Sequence, residues 1–263
     1  MPRSGVAMMR RVLAAAVVFG WSGALAAPPC AGDVEIAGAR IMRVEHNGVL
    51  VMADGRALWL EGVRLPNAAQ DRAPQAIADQ AFAALNGLAK GQELDAYAIY
   101  PKEDRYDRVR SQVVAKDGTW LQLELLKRGL ARVSIAPDRG ECARELFEAE
   151  AAARNAHLGL WADPAYAVRN ADNVKADVGA FEIVQGVVQA VAVKDGRAYL
   201  NFGADWRTDF TVTISPDDMR TFRQMGVDPR AYQGKLMRVR GIVEWLNGPE
   251  IGLANPRQAE VLP

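Results

Sequence analysis

From Gly38 onward, apolar and polar positions alternate in short runs broken by turn dipeptides, the spacing of strands that bury one face. Runs at 39–45, 49–53 and 56–63 are separated by Asn47-Gly48 and Asp54-Gly55, which predicts a three-stranded meander. The period then changes over 74–90, where Ile77, Ala81, Leu85 and Leu88 share one helical stripe and Gly91 is placed to stop it. Strands are predicted again at 92–100 and 108–115. A short helix over 119–128 ends at Gly129, and a longer one over 141–157 ends at Gly159. Strands with a helix between them and helices on the flanks predict a five-stranded Greek-key barrel.

Residues 164–177 carry few bulky apolar side chains and no clear period, so 163–177 reads as a linker. Beyond it, strands are predicted at 181–193, 198–202 and 209–214, with a hairpin at Asp195-Gly196. Ser215-Pro216-Asp217-Asp218 combines an N-cap, a proline at the first helical position and acids against the dipole, and the helix it opens ends by Gly226. Strands at 235–245 and 250–254 complete the order βββαββ, that of an OB-type barrel. The predicted fold is α+β, mainly β with helices, in two OB-type five-stranded barrel domains over 38–162 and 178–263.

The N-terminus changes this picture. Arg3, Arg10 and Arg11 precede an uninterrupted apolar stretch at 12–19, and Ala24-Leu25-Ala26 offers small residues where a signal peptidase reads. Residues 1–26 are therefore expected to be a secretory signal, cleaved after Ala26. The other reading, a retained anchor, is opposed by Gly20, Gly23, Pro28 and Pro29, which cut the apolar run below the roughly 20 residues a span needs. The mature protein is expected to be periplasmic or secreted, with no stable membrane span. Its two cysteines, Cys30 and Cys142, would meet an oxidising compartment, so a disulfide is expected, two unpaired thiols being the alternative.

Composition excludes some functions. The chain has 32 basic and 32 acidic residues; losing the three signal arginines leaves 29 against 32, no charge for coating polyanions in bulk. Two histidines and two cysteines, far apart, give no zinc spacing.

Trp59-Leu60-Glu61-Gly62-Val63-Arg64-Leu65-Pro66-Asn67, followed by Asp104-Arg105-Tyr106-Asp107-Arg108, resembles the paired motifs of the thermonuclease, or staphylococcal nuclease-like, family. The likeness continues through Trp120-Leu121-Gln122, Leu130-Ala131-Arg132-Val133 and Gly159-Leu160-Trp161 and covers roughly 38–162. The following domain is similar to an OB-type extension found on some exported bacterial members. The resemblance implies a barrel fold and a calcium-dependent nuclease, with carboxylate ligands, two arginines at the phosphate and a glutamate that activates water.

This chain departs at most of those positions. Trp59 stands for the family's first arginine, Arg64 for an aspartate, Asn67 for the glutamate, and the carboxylate of the first turn falls near Gly48. Only Arg108 matches. A general base contributes about 10² to 10⁴ in rate and a positioned charge donor about 10² to 10³, so their joint loss predicts a catalytically degenerate protein. Arg64, Tyr106 and Arg108 are then candidates to hold a phosphate or carboxylate without a metal. The competing reading is that Arg64 pairs with Glu61 or Asp71 while Trp59 fills the former cleft.

In the second domain, Tyr199, Trp206 and Arg207 are candidates for a ligand face, the mix of aromatic and cation on which OB-type surfaces stack bases. Tyr199 and Asn201 share one strand face; Leu200 and Phe202 share the other and are expected in the core. Trp206 is the best exposed candidate, unless it plugs the barrel mouth. The expected function is binding of an anionic ligand, nucleic acid or phosphate, or of an envelope protein partner, without a cofactor. The alternative is an active phosphodiesterase cleaving DNA or RNA with a divalent metal such as Ca2+.

Overall fold

The computed structural model describes residues 1, 28–205 and 207–263 of the chain. The expected signal, 1–26, and Trp206 lie outside the described residues, apart from Met1. No described helix is long and apolar enough to cross a membrane.

The first half contains β1 (Asp33–Val44), β2 (Leu50–Met52), β3 (Ala57–Leu60), β4 (Val63–Arg64), α1 (Ala68–Asp71), α2 (Gln75–Ala89), β5 (Glu93–Ala98), β6 (Arg108–Ala115), α3 (Leu121–Lys127), β7 (Arg132–Val133) and α4 (Ala143–Asn155). A closed barrel runs β1-β2-β3-β6-β5. It closes because β1 is long and irregular, pairing with β5 through its first part and with β2 through its second. Its register shifts between Ile36 and Ala39, beside Gly38, whose positive φ turns its amide onto Asp95 Oδ1 at 2.7 Å. The meander of the sequence is thus β1-β2-β3, and β3 meets β6 in parallel, with Ala57 opposite Arg108 and Trp59 opposite Arg110. Leu58, Leu60 and Val109 point inward, leaving Trp59 and Arg108 outside the barrel core on one face.

The second half contains β8 (Arg169–Asn170), β9 (Phe181–Val187), β10 (Ala190–Lys194), β11 (Arg197–Asn201), β12 (Thr211–Ile214), α5 (Asp218–Gln224), β13 (Leu236–Ile242), β14 (Glu244–Trp245), β15 (Pro249–Gly252) and β16 (Ala259–Val261). The run 181–193, expected as one strand, is broken after Val187. β9 pairs with β13, whereas β10 turns to pair with β11. The second half, expected as an OB-type barrel, has two sheets, β10-β11-β12-β15-β14 and β16-β13-β9-β8. The reason lies in β13: its edges are taken by β9 and by the C-terminal strand, which sets Met237 opposite Val261, so no ladder joins β13 to β15 among the described residues.

Residues 163–177 are a packed connector. Tyr166 and Val174 are buried in it, and β8 adds a parallel edge to the β9 sheet. Ala153, Leu160, Trp161, Tyr166 and Ile183 form a small core between the two larger ones. Across this seam Arg240 Nη1 donates to Glu150 Oε2 at 2.8 Å, Arg132 Nη1 to the Phe181 carbonyl at 2.7 Å, and Asn255 Nδ2 to the Arg139 carbonyl at 2.6 Å. Cys30 and Cys142 are disulfide-bonded, tying the start of the described chain to the head of α4.

Candidate functional site

Beside the barrel, β3, β4, the turn into α1 and the residue after β7 surround a cavity of about 150 Å³. Its polar lining is His46, Asn47, Arg64, Asn67, Gln70 and Ser134, set against the indole of Trp59. This is where the motif residues meet, and each is held by local chemistry. Asn67 caps α1, its Oδ1 accepting the Gln70 amide at 3.0 Å, while its own amide donates to Asp71 Oδ2 at 2.9 Å. Arg64 Nη2 donates to Gln70 Oε1 at 2.7 Å and lies 3.5 Å from Asp71 Oδ1, with its guanidinium 5.4 Å from the Phe181 ring centroid. Glu61, the other partner considered for Arg64, instead accepts from Arg110 Nε at 2.8 Å.

Arg108 does not line this cavity. Its Nε and Nη2 donate to Asp104 Oδ2 at 2.8 and 2.5 Å, and the guanidinium lies 4.3 Å from the Trp59 ring and 4.9 Å from that of Tyr106. Burial works to raise the Asp104 carboxyl, but hydrogen bonds from the Arg108 side chain and from the amides of Tyr106 and Arg108 outweigh it and hold the carboxyl below its ordinary value. Arg105 stands over the other ring of the same cluster, 4.9 Å from Tyr106. Arg64 and Arg108, expected to face one phosphate together, are therefore engaged separately: one by Gln70 and Asp71, the other by Asp104 between two rings.

The donor set does not fit calcium. Gly48 has φ +90°, and a Cβ built there would sit 2.4 Å from Leu65 Cδ1, so an acidic side chain at Gly48 strains the backbone and has to displace the Leu65 methyl. Arg64 brings a cation to the next expected ligand position, and the Asn67 amide is spent on the helix cap. Among the described residues no three His, Cys, Asp or Glu side chains gather into a metal-binding group.

In the second half, Leu200 and Phe202 are buried, and Tyr199 and Asn201 line an open groove of about 500 Å³ with Lys194, Thr211, Leu246 and Glu250. Arg207 is not part of that lining; its amide donates to Asp205 Oδ1 at 3.1 Å in the following loop. Sequence reasoning missed Asp104, although its spacing of four from Arg108 in a turn was a signal. It also missed His46, stacked on Phe82 with ring centroids 4.0 Å apart, and Ser134, for which no local pattern exists.

Residues 57–163 match the family described as staphylococcal nuclease homologue, a stretch that covers β3 to α4 and less than half of the chain. This part of the chain, with the closed five-stranded barrel it completes, is a staphylococcal nuclease-like domain. No curated protein matches the chain.

Proposed function

We propose that this is an exported, thermonuclease-like protein that no longer cleaves phosphodiesters and instead holds an anionic group in the cleft beside Trp59. One observation carries the reading: the cleft persists, but its lining has no carboxylate and its single charged member is the Arg64 guanidinium. Hydrolysis would need a base and a free arginine; Asn67 is a helix cap and Arg108 is paired with Asp104 outside the cleft lining. A guanidinium, three side-chain amides and a hydroxyl around an indole suit a phosphate or carboxylate attached to a flat ring, as at the end of a single-stranded nucleic acid. Surface arginines elsewhere are matched by neighbouring acids, Arg43 by Glu45 and Arg56 by Asp54, so recognition is local rather than by bulk charge. Export is supported by the Cys30–Cys142 bond together with the arginine-led apolar segment at the N-terminus. A protein partner is the second reading, favoured by exposed Leu246 at the Tyr199 groove and by exposed Trp245 next to it in the chain.

The test is an assay of purified protein on single-stranded DNA and RNA, with calcium and with chelator, alongside calorimetric titration with a nucleoside monophosphate. Expected are no cleavage, no rise in melting temperature with low millimolar calcium, and nucleotide binding that weakens about tenfold in Arg64→Gln, as for loss of one charge-assisted hydrogen bond. Chelator-sensitive cleavage that vanishes in Arg108→Ala would replace this reading with a metal-dependent phosphodiesterase.

A further inference from the structure

A second groove, of about 430 Å³ and sharing no residue with the cleft, lies between the start of α4 and the loop after α5. That is the size of a small-molecule site rather than of a packing gap. We propose that it binds a small amphiphilic monoanion, an apolar body with one anionic head. This site is separate from the cleft and does not depend on what the cleft binds.

The apolar part is supplied from both halves: Phe147 on α4, Met225 and Val227 after α5, and Pro256 near the C-terminus. Met225 keeps 39% of its surface exposed, an unusual amount for a side chain that borders other apolar groups. Tyr232 lines the same groove. Most of the residue is buried, and its hydroxyl makes no hydrogen bond to the described residues, so it is a polar group that a ligand oxygen in the groove can accept from.

Charge decides the sign of the head. Two acids border the groove and both are engaged. Glu260 accepts from Arg240 Nη2 at 2.6 Å and lies 3.8 Å from Arg238 Nη1, and Glu141 accepts from the Gly140 amide at 2.9 Å beside Arg139 at 3.4 Å. Of the two bordering arginines, Arg144 is 80% exposed and touches only Glu145, and Arg257 donates to the Gly140 carbonyl with no carboxylate partner. The α4 N-terminus, which has no side-chain cap, opens on the same space and adds positive potential. One uncompensated cation fits one negative charge.

The experiment uses 8-anilinonaphthalene-1-sulfonate, an apolar ring system with one sulfonate, as a fluorescent probe of the native full chain. Saturable enhancement is expected, with displacement by decanoate at about tenfold lower concentration than by 1-decanol, the difference one charged contact supplies. Met225→Asp and Arg257→Gln, both at exposed positions, should each weaken the probe about tenfold with little change in melting temperature. Arg223→Ala, in the neighbouring groove beyond Val227, should leave it unchanged. Equal displacement by decanol, or binding indifferent to both substitutions, overturns the proposal.

Discussion

At the rim of the barrel and at the seam with the second half, an arginine is held by one aspartate between two aromatic rings. Arg108 has Asp104, Trp59 and Tyr106; Arg132 has Asp71, Tyr166 and Phe181, with ring distances of 4.3 to 5.0 Å. The rim side chain keeps 20% of its surface in water and the seam side chain 2%. Burial pulls the Arg132 guanidinium down from its ordinary value, opposed by Asp71 and reinforced by nearby Arg64, whereas at the rim water screens the pair. The same three-part motif is therefore structural at the seam and adjustable at the rim. An exposed pair contributes about 0 to 1 kcal/mol, and breaking a buried one costs about 3 to 5 kcal/mol.

The largest effect is expected where the seam is driest. Glu150 accepts from Arg240 Nη1 and from the Val133 amide at 2.7 Å, and both members of the ion pair are 1% exposed. Glu150→Ala should destabilise the chain by about 3 to 5 kcal/mol in urea unfolding, because buried Arg240 is left with Glu260 as its one carboxylate and the buried Val133 amide loses its acceptor. Replacing both residues by methionine should recover most of that loss. A single-variant cost under about 1 kcal/mol would mean that the seam is as adjustable as the rim.

A smaller effect should appear with pH. Glu182 is buried at the start of β9, and burial, with help from Asp177 and Asp71, pushes its carboxyl up to about 7 from 4.5 against the pull of Arg169 and Arg132. The folded chain then holds a proton that the unfolded chain has lost. Its contribution is complete below about 4.5 and fades as pH rises through about 7, so stability should fall across that window. The upper limit is about 1.4 kcal/mol per pH unit. Glu182→Gln should flatten the slope; if the slope stays, other seam carboxylates carry it.

The rim was largely legible in the sequence and the seam was not. The strand predicted at 108–115 is β6 to the residue, and the helix predicted at 74–90 is Gln75–Ala89, because alternation and a helical stripe are local signals. Cleft residues Trp59, Arg64 and Asn67 were found through a nine-residue motif that runs continuously from β3 through β4 to the cap of α1. Arg240 and Glu150 are 90 residues apart, so no period links them, and a glutamate on α4 reads as a solvated face until its partner is seen. The connector looked like a linker for the same reason: Tyr166 and Val174 are isolated apolar positions, buried by partners in the small middle core and in the second half that lie far away in sequence. The division of the second half into two sheets did not show either, since the strand that takes the free edge of β13 is only three residues long.

The smallest stability change is expected from Asp104→Asn, and it is the most informative one. The substitution keeps the shape of the side chain, and its Oδ1 can still accept the amides of Tyr106 and Arg108, but the charge on Arg108 loses its counterpart. With both side chains partly in water, the loss should be about 0.2 to 1 kcal/mol. In the parent protein that contribution is present above the ordinary aspartate value of 3.8 and is lost as pH falls through the lower value Asp104 has in the fold, so the variant and parent should converge in acid. Nucleotide binding should move the other way and tighten a few-fold, about the worth of one freed guanidinium near a phosphate. Asp71→Asn is the matching change at the seam, where Asp71 faces Arg132 at 2.8 Å with 1% exposure, and should cost several times more. Equal costs for the two aspartates would show that position relative to water does not distinguish the two arginines. Unchanged nucleotide affinity in Asp104→Asn would show that Arg108 is withheld by its two rings rather than by its carboxylate.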